Sequence, residues 1–129
     1  MKMNPVIHFE MPAKNKTRVK SFYEIVFGWQ ITITGAEYNN YVLATTSPVD
    51  DKGLHKEKGA INGGFWETKK KEYPHFVISV DDLENHMKIV KKNGGKIEGK
   101  PMDIPGIGKF VMFNDTEGNR VGMLQPVEM

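Results

Sequence analysis

The chain has 129 residues, of which 39% are hydrophobic and 26% are charged, and its formal net charge is +2. This length fits one globular domain, or two small halves that must share a core, and the nearly balanced charge argues against a nucleic-acid partner. The sequence has no 18-residue apolar run, no signal-peptide pattern and no cysteine. We therefore expect a cytoplasmic protein without a membrane partner, disulfides or thiolate metal sites.

The first half of the chain predicts a strand, a helix and three further strands. Alternation along the first strand puts His8 and Glu10 on the face opposite to apolar Phe9. Asn15 and Gly28 are typical residues for the start and the end of the helix. The predicted elements are a strand at 5–11, a helix at 16–27, strands at 29–34, 38–46 and 59–66, and a loop at 47–58.

The second half predicts the same order of elements. Asp81 and Glu84 have the spacing of a capping box, so the second helix is expected to begin directly after Asp81 and to end at 93–95. His75 lies on a strand face that points away from this helix. The remaining predicted elements are strands at 96–99, 110–113 and 120–125, a loop at 101–108 and a turn at 115–118.

An internal repeat relates the two halves. His8-Phe9 and His75-Phe76 lie 67 residues apart, and the same offset aligns Asn15 with Asp82. Because a repeat places equivalent residues at equivalent positions, the two histidines are expected to occupy matching sites in two copies of one β-α-β-β-β unit. The predicted organisation is a single domain, 1–129, made of module one (1–68), a linker (69–72) and module two (73–129).

Sequence stretches in both halves resemble a known family. The first half contributes His8 and FYEIVFGW, and the second contributes His75-Phe76 and FNDTEGNRVGMLQP, with Thr116 where the family usually has proline. Over nearly the whole chain, these stretches resemble the vicinal oxygen chelate superfamily of glyoxalase I, bleomycin-resistance proteins and extradiol dioxygenases. The resemblance implies an α+β fold in which two tandem βαβββ modules form a partial barrel with a central cavity.

The resemblance also implies where a metal would be held. His8 and His75 occupy the first-strand ligand positions of the two modules. The last-strand position of module two, usually glutamate, is Gly122, and no acid or histidine stands at the corresponding 62–64 of module one. A divalent ion (Fe, Ni, Zn or Mn) held by His8 and His75 alone would bind weakly, although Glu10 could add a carboxylate.

Three functions fit this pattern, and the sequence leaves enzyme activity open. The first is a protein that binds a small organic molecule in the cavity, with a degenerate metal site, as bleomycin-resistance proteins do. The second is a metal-dependent lyase or isomerase of glyoxalase type, similar to lactoylglutathione lyase. The third is a metal-free acid–base enzyme in which His8 and Glu10 act as a pair.

The candidate site residues follow from these alternatives, although packing or lining a cavity is the commoner role for residues of these types. Candidate catalytic residues are His8, Glu10 and His75. Candidate ligand-binding residues are Asn62, Trp66, Met112 and Met123. Paired modules of this kind usually leave a surface for a second chain, so we expect a homodimer.

Overall fold

The chain forms an α+β fold with the element order that the sequence predicts. The structure is a computed structural model, and it describes residues 2–127. Within that range the elements are β1 (Val6–Ala13), α1 (Lys16–Phe27), β2 (Gln30–Ile33), a 3-10 turn (Ala36–Tyr38), β3 (Val42–Thr45), β4 (Asn62–Glu67), β5 (His75–Ser79), α2 (Leu83–Lys92), β6 (Lys96–Ile104), β7 (Gly108–Asn114) and β8 (Arg120–Pro126). The order β-α-β-β-β therefore occurs twice, which confirms the predicted fold class.

The described residues form two compact units. Unit one comprises residues 8–74, and unit two comprises residues 2–7 with 75–127. The strand order in unit one is β2-β3-β4-β1, with β1 and β4 parallel, and the order in unit two is β6-β7-β8-β5, with β5 and β8 parallel. Both units thus use one topology. Neither α1 nor α2, with 12 and 10 residues, has the length or the apolar character to cross a membrane.

Helix α1 of unit one begins and ends where the sequence predicts. The Asn15 side chain accepts a hydrogen bond from the Arg18 backbone N–H, and Gly28 ends the helix in the left-handed region at φ 70°. The core beneath the helix is apolar, and Phe9 packs against it while His8 and Glu10 occupy the opposite face of β1. The buried core residues are Ala13, Ile31, Val42, Ala44 and Phe65.

Helix α2 of unit two begins one residue later than the capping-box prediction. The N-cap is Asp82, whose Oδ1 accepts a hydrogen bond from the Asn85 backbone N–H at 3.1 Å. Asp81 instead forms an exposed ion pair with Lys2, so the capping-box prediction is wrong. The core of this unit lies between α2 and the sheet, and consists of Val80, Leu83, Met87, Val111 and Met123.

Two predicted strand boundaries are also corrected. The strand predicted at 38–46 begins only at Val42, because Asn39 and Asn40 have φ of 55° and 57° and close a turn onto Ala36 and Gly35. The loop predicted at 101–108 is mostly strand, since β6 continues to Ile104. An irregularity in its pairing between Glu98 and Met102 accommodates the proline at 101, as is common on outer strands.

Candidate functional site

A row of three hydrogen-bonded side chains lies on the face of the unit-one sheet that α1 does not cover. The Tyr41 hydroxyl donates to Glu10 Oε2 at 2.8 Å. The same hydroxyl oxygen lies 3.3 Å from His8 Nε2, which places it to accept that nitrogen's proton in a hydrogen bond. Strand alternation put His8 and Glu10 side by side, and the structure joins them through Tyr41.

A glycine on β4 makes room for the tyrosine. Glu10 pairs with Gly64 in the parallel register of β1 and β4, so both lie on the same face of the sheet. A Cβ atom built on Gly64 would overlap the Tyr41 ring, and one built on Gly63 would overlap the Phe9 ring on the other face. The glycine pair thus allows aromatic rings of the same chain to approach β4 closely from both sides.

The surroundings of Tyr41 keep its hydroxyl protonated. Burial raises the pKa of the Tyr41 hydroxyl strongly, and the negative charge and hydrogen bond of Glu10 raise this pKa further. The phenol is therefore a hydrogen-bond donor throughout the physiological pH range. The hydroxyl hydrogen of Tyr41 points to Glu10, and His8 lies on the other side of the hydroxyl oxygen.

Two predicted ligand-binding residues share this face. Asn62 pairs with His8 in the sheet register, and its Oδ1 accepts a hydrogen bond from the Thr46 backbone N–H at 3.0 Å. Trp66 lies two residues beyond Gly64 on the same face, and its indole N–H donates to Glu72 at 2.5 Å. Trp66 thus has a fixed ring at the end of the row that contains His8 and Glu10.

In unit two, His75 belongs to a different polar cluster. Glu98 accepts hydrogen bonds from Arg120 Nε at 2.8 Å and from Asn114 Nδ2 at 2.7 Å. The hydrogen bonds from Arg120 and Asn114 lower the pKa of the Glu98 carboxyl, and the nearby charges of Arg120 and His75 contribute. The candidate histidine of this unit therefore stands close to a carboxylate that is held by an arginine.

The position at which the family usually has a glutamate is filled by apolar side chains. Gly122 pairs with Val77 of β5 and Met112 of β7. A Cβ atom built on Gly122 would lie 2.7 Å from the Phe110 ring and 3.2 Å from Val77 Cγ2. A longer side chain at this position would displace the phenyl ring, so Phe110 can occupy this space only because residue 122 is glycine.

The two candidate methionines lie on opposite faces of the unit-two sheet. Met112 pairs with Gly122, whereas its neighbour Val111 pairs with Met123. Met123 is 2% exposed and belongs to the core under α2. Met112 alone therefore shares the face that carries Phe110.

The donor groups of each unit do not fit the metal centre that the family resemblance implies. In unit one, His8 Nε2 faces a tyrosine hydroxyl, and residues 62–64, where the resemblance places the last-strand ligand, are Asn-Gly-Gly, with that tyrosine over Gly64. In unit two, Phe110 takes the space of the last-strand carboxylate. Among residues 2–127, no group of three or more His, Cys, Asp or Glu side chains is arranged to hold a metal ion.

Sequence reasoning did not predict five residues of these arrangements: Tyr41 of the first cluster, Glu98, Asn114 and Arg120 of the second, and Phe110 beside Gly122. Tyr41 falls within the strand predicted at 38–46, where the sequence gives no sign that its hydroxyl contacts Glu10. Strand alternation carries a signal for Glu98, since it places this residue opposite to apolar Ile97. The partners of each residue depend on the pairing register, which alternation does not provide.

Comparisons with known proteins agree with this architecture. The family model for the Glyoxalase/Bleomycin resistance protein/Dioxygenase superfamily matches residues 6–123. A glyoxylase-like domain-containing protein of Didymella fabae is 32% identical over 117 residues, which cover 85% of this chain and 84% of that protein.

Solved structures show the same fold at low sequence identity. A hypothetical protein from Bacillus halodurans is 16% identical, with a TM-score of 0.69 over 99% of this chain and 98% of that one. Methylmalonyl-CoA epimerase from Mycobacterium tuberculosis is 10% identical, with a TM-score of 0.67 over 95% and 88% of the two chains. Because the family model and the fungal relative span most of the sequence, the chain belongs to the Glyoxalase/Bleomycin resistance protein/Dioxygenase superfamily.

Proposed function

We propose that this chain binds a small oxygen-bearing organic molecule against the sheet face of unit one, and that His8, Tyr41 and Glu10 exchange a proton with it without a metal ion. The observation that carries the proposal is the hydrogen-bonded row of these three side chains. Superfamily membership supports a small-molecule site, and the similarity to epimerase structures supports the fold of that site.

The direction of the hydrogen bonds assigns a part to each residue. Tyr41 gives its proton to the bond with Glu10, so its oxygen is the acceptor toward His8. An imidazole that donates from Nε2 carries its lone pair on Nδ1, as a general base requires. Histidine is the side chain most often used for such proton transfer, and Tyr41 and Glu10 would hold its tautomer and orientation.

Neighbouring side chains provide contacts for the body of a ligand. Leu43 pairs with Gly64 beside Tyr41 and is 41% exposed. Trp66 lies further along the same face, with its indole fixed by Glu72. An apolar side chain and an aromatic ring beside a polar row suit a small molecule that has one oxygen function on an apolar frame.

A metal-dependent lyase or isomerase is the weaker candidate. A Lewis-acid mechanism needs several carboxylate or imidazole ligands around open positions. On the last strands, residues 62–64 and Gly122 supply no carboxylate or imidazole, and aromatic rings fill the space beside Gly64 and Gly122. We therefore propose that the family's metal function has been lost and that its sheet face is retained for binding.

The first experiment is a thermal-shift screen of oxo acids and aromatic oxygen compounds, followed by calorimetric titration of each hit. A ligand at 100 times its Kd should stabilise the protein by about 2.7 kcal/mol. Tyr41→Phe should weaken a hit by up to about tenfold, since His8 is then no longer held in position by a hydrogen bond worth about 1.4 kcal/mol. Tyr38→Phe is the matched control, because Tyr38 is an exposed tyrosine of the preceding turn.

Proton transfer is tested separately by solvent deuterium exchange into the bound compound, followed by proton NMR. His8→Ala should slow this exchange by roughly 10²–10⁴-fold. Exchange at the rate of free ligand would contradict the acid–base part and leave a binding protein. Stimulation of binding or exchange by added Zn²⁺, Ni²⁺, Fe²⁺ or Mn²⁺ would contradict the metal-free mechanism.

A further inference from the structure

Unit two contains an apolar cleft on the face of its sheet that α2 covers. The cleft has a volume of about 580 Å³, within the range typical of small-molecule sites. Its walls come from the N-terminal segment (residues 2–5), from α2 and from strands β5, β7 and β8. The residues that line it are Lys2, Met3, Asn4, Ile78, Val80, His86, Val90, Phe113 and Met123.

The N-terminal segment forms one wall and is held at both ends. Lys2 Nζ lies 2.9 Å from both carboxylate oxygens of Asp81, directly before α2. The Ser79 backbone N–H donates to the Pro5 carbonyl at 2.9 Å. Met3, between these anchors, is 90% exposed, and this segment therefore stands beside the cleft without filling it.

The floor of the cleft is the core itself. Val80 and Met123 are each 2% exposed and pack in the unit-two core, and Phe113 and Val90 pack partly against them. A bound apolar group would bury the remaining surface of the partly buried Ile78, Val90 and Phe113 and so gain hydrophobic stabilisation. The ligand that fits this floor is apolar over most of its length.

The charges of the cleft define the rest of the ligand. Lys2 and His86 carry basic groups, and no acidic side chain is among the described residues that line the cleft. The ion pair of Lys2 with Asp81 is a weak competitor, because the two side chains are 67% and 71% exposed. A ligand carboxylate at this end would therefore meet a basic group.

We propose that this cleft is a second binding site, for a small amphipathic carboxylate whose chain lies on Ile78, Val90 and Phe113 and whose carboxylate meets Lys2. This site lies on the opposite face of the sheet from Met112 and is independent of the function proposed for unit one. Its occupant belongs to the class of medium-chain fatty acids and similar aryl acids.

The test is a titration of the full chain with octanoate, followed by NMR of methyl-labelled methionines. The Met3 and Met123 signals should shift in a saturable way, whereas the Met112 signal should stay unchanged. Octanamide, which has the same chain without the charge, should bind about three- to fivefold more weakly. Shifts confined to Met112, or no saturable shift at all, would overturn the proposal.

Three variants distinguish the contribution of the Lys2 charge to octanoate binding from that of the apolar cleft. Lys2→Gln should weaken octanoate binding about three- to fivefold, and Asp81→Asn should strengthen it, because Lys2 is then released from its ion pair. Val90→Phe should abolish binding by filling the cleft, with a thermal unfolding curve as the check on its fold. Equal octanoate affinity in Lys2→Gln and the unmodified chain would overturn the assignment of Lys2.

Discussion

Both units place an aromatic ring over a glycine of their last strand. In unit one Tyr41 covers Gly64, and in unit two Phe110 covers Gly122. Each ring stands two residues before the residue that pairs with the glycine in the antiparallel register. The two arrangements are therefore equivalent by topology: in both repeats a ring lies over a last-strand glycine, in the region where the resemblance places a metal ligand.

The units differ in what surrounds that ring. Glu10 pairs with Gly64, whereas Val77 pairs with Gly122. The ring beside the glutamate has a hydroxyl, and the ring beside the valine has none. Beside its glycine, unit one therefore has a hydrogen-bonded tyrosine and glutamate, whereas unit two has the apolar Phe110 and Val77 at the equivalent positions. The chemistry that we propose therefore belongs to unit one.

The largest expected effect is that of Gly64→Ala. The new methyl group would overlap a ring whose hydroxyl is bonded to Glu10 and which cannot move without breaking that bond. Overpacking of this kind costs roughly 1–3 kcal/mol, and we expect the upper part of this range. Gly122→Ala should cost less, since the nearest ring atom is 2.7 Å away and Phe110 has no such anchor. Urea unfolding of both variants measures the difference.

Double variants check the cause of this loss. If the ring is responsible, Tyr41→Ala with Gly64→Ala should be less destabilising than the sum of the single changes. The same holds for Phe110→Ala with Gly122→Ala. Strict additivity in both pairs would mean that the glycines are required for another reason, and the equivalence of the two units would fail.

A reciprocal exchange of the hydroxyl group should have a smaller effect. Tyr41→Phe removes a hydrogen bond to a carboxylate, and we expect the free energy of unfolding to fall by about 1.5 kcal/mol. Phe110→Tyr adds a hydroxyl in the unit that has Val77 in place of Glu10, so it should bring no stabilisation. Stabilisation by Phe110→Tyr would show that the two environments are more alike than their residues suggest.

The internal repeat was the best guide to local structure. The offset of 67 residues aligned Asn15 with Asp82, and these two residues are the helix N-caps. The capping-box spacing pointed to Asp81 and was wrong, because that carboxylate binds Lys2. Topological equivalence therefore constrained the helix start better than a three-residue motif.

The sequence predicted only part of the candidate site in unit one. Alternation placed His8 and Glu10 on one face, and the structure confirms this. It did not place Tyr41, because that residue precedes β3 and reaches Glu10 only through the register of β3 on β4. A turn with two left-handed asparagines sets this register, and strand periodicity contains no information about it.

The smallest predicted effect concerns the cluster of Glu98, Arg120 and Asn114 in unit two. Arg120 and Asn114 lower the pKa of Glu98 below its usual 4.5, so ionised Glu98 stabilises the fold above that pH, and the stabilisation is lost as pH falls through the lowered pKa. The Glu98 and Arg120 side chains are 37% and 45% exposed, which limits the effect to less than about 1 kcal/mol.

Chemical unfolding between neutral pH and acid should therefore show that the unmodified chain is more stable than Glu98→Gln at neutral pH and that this difference shrinks below pH 4.5. Glu57→Gln, at an exposed loop position, is the control, and a constant difference between the unmodified chain and Glu98→Gln across this range would mean that Glu98 acts by packing and not by charge.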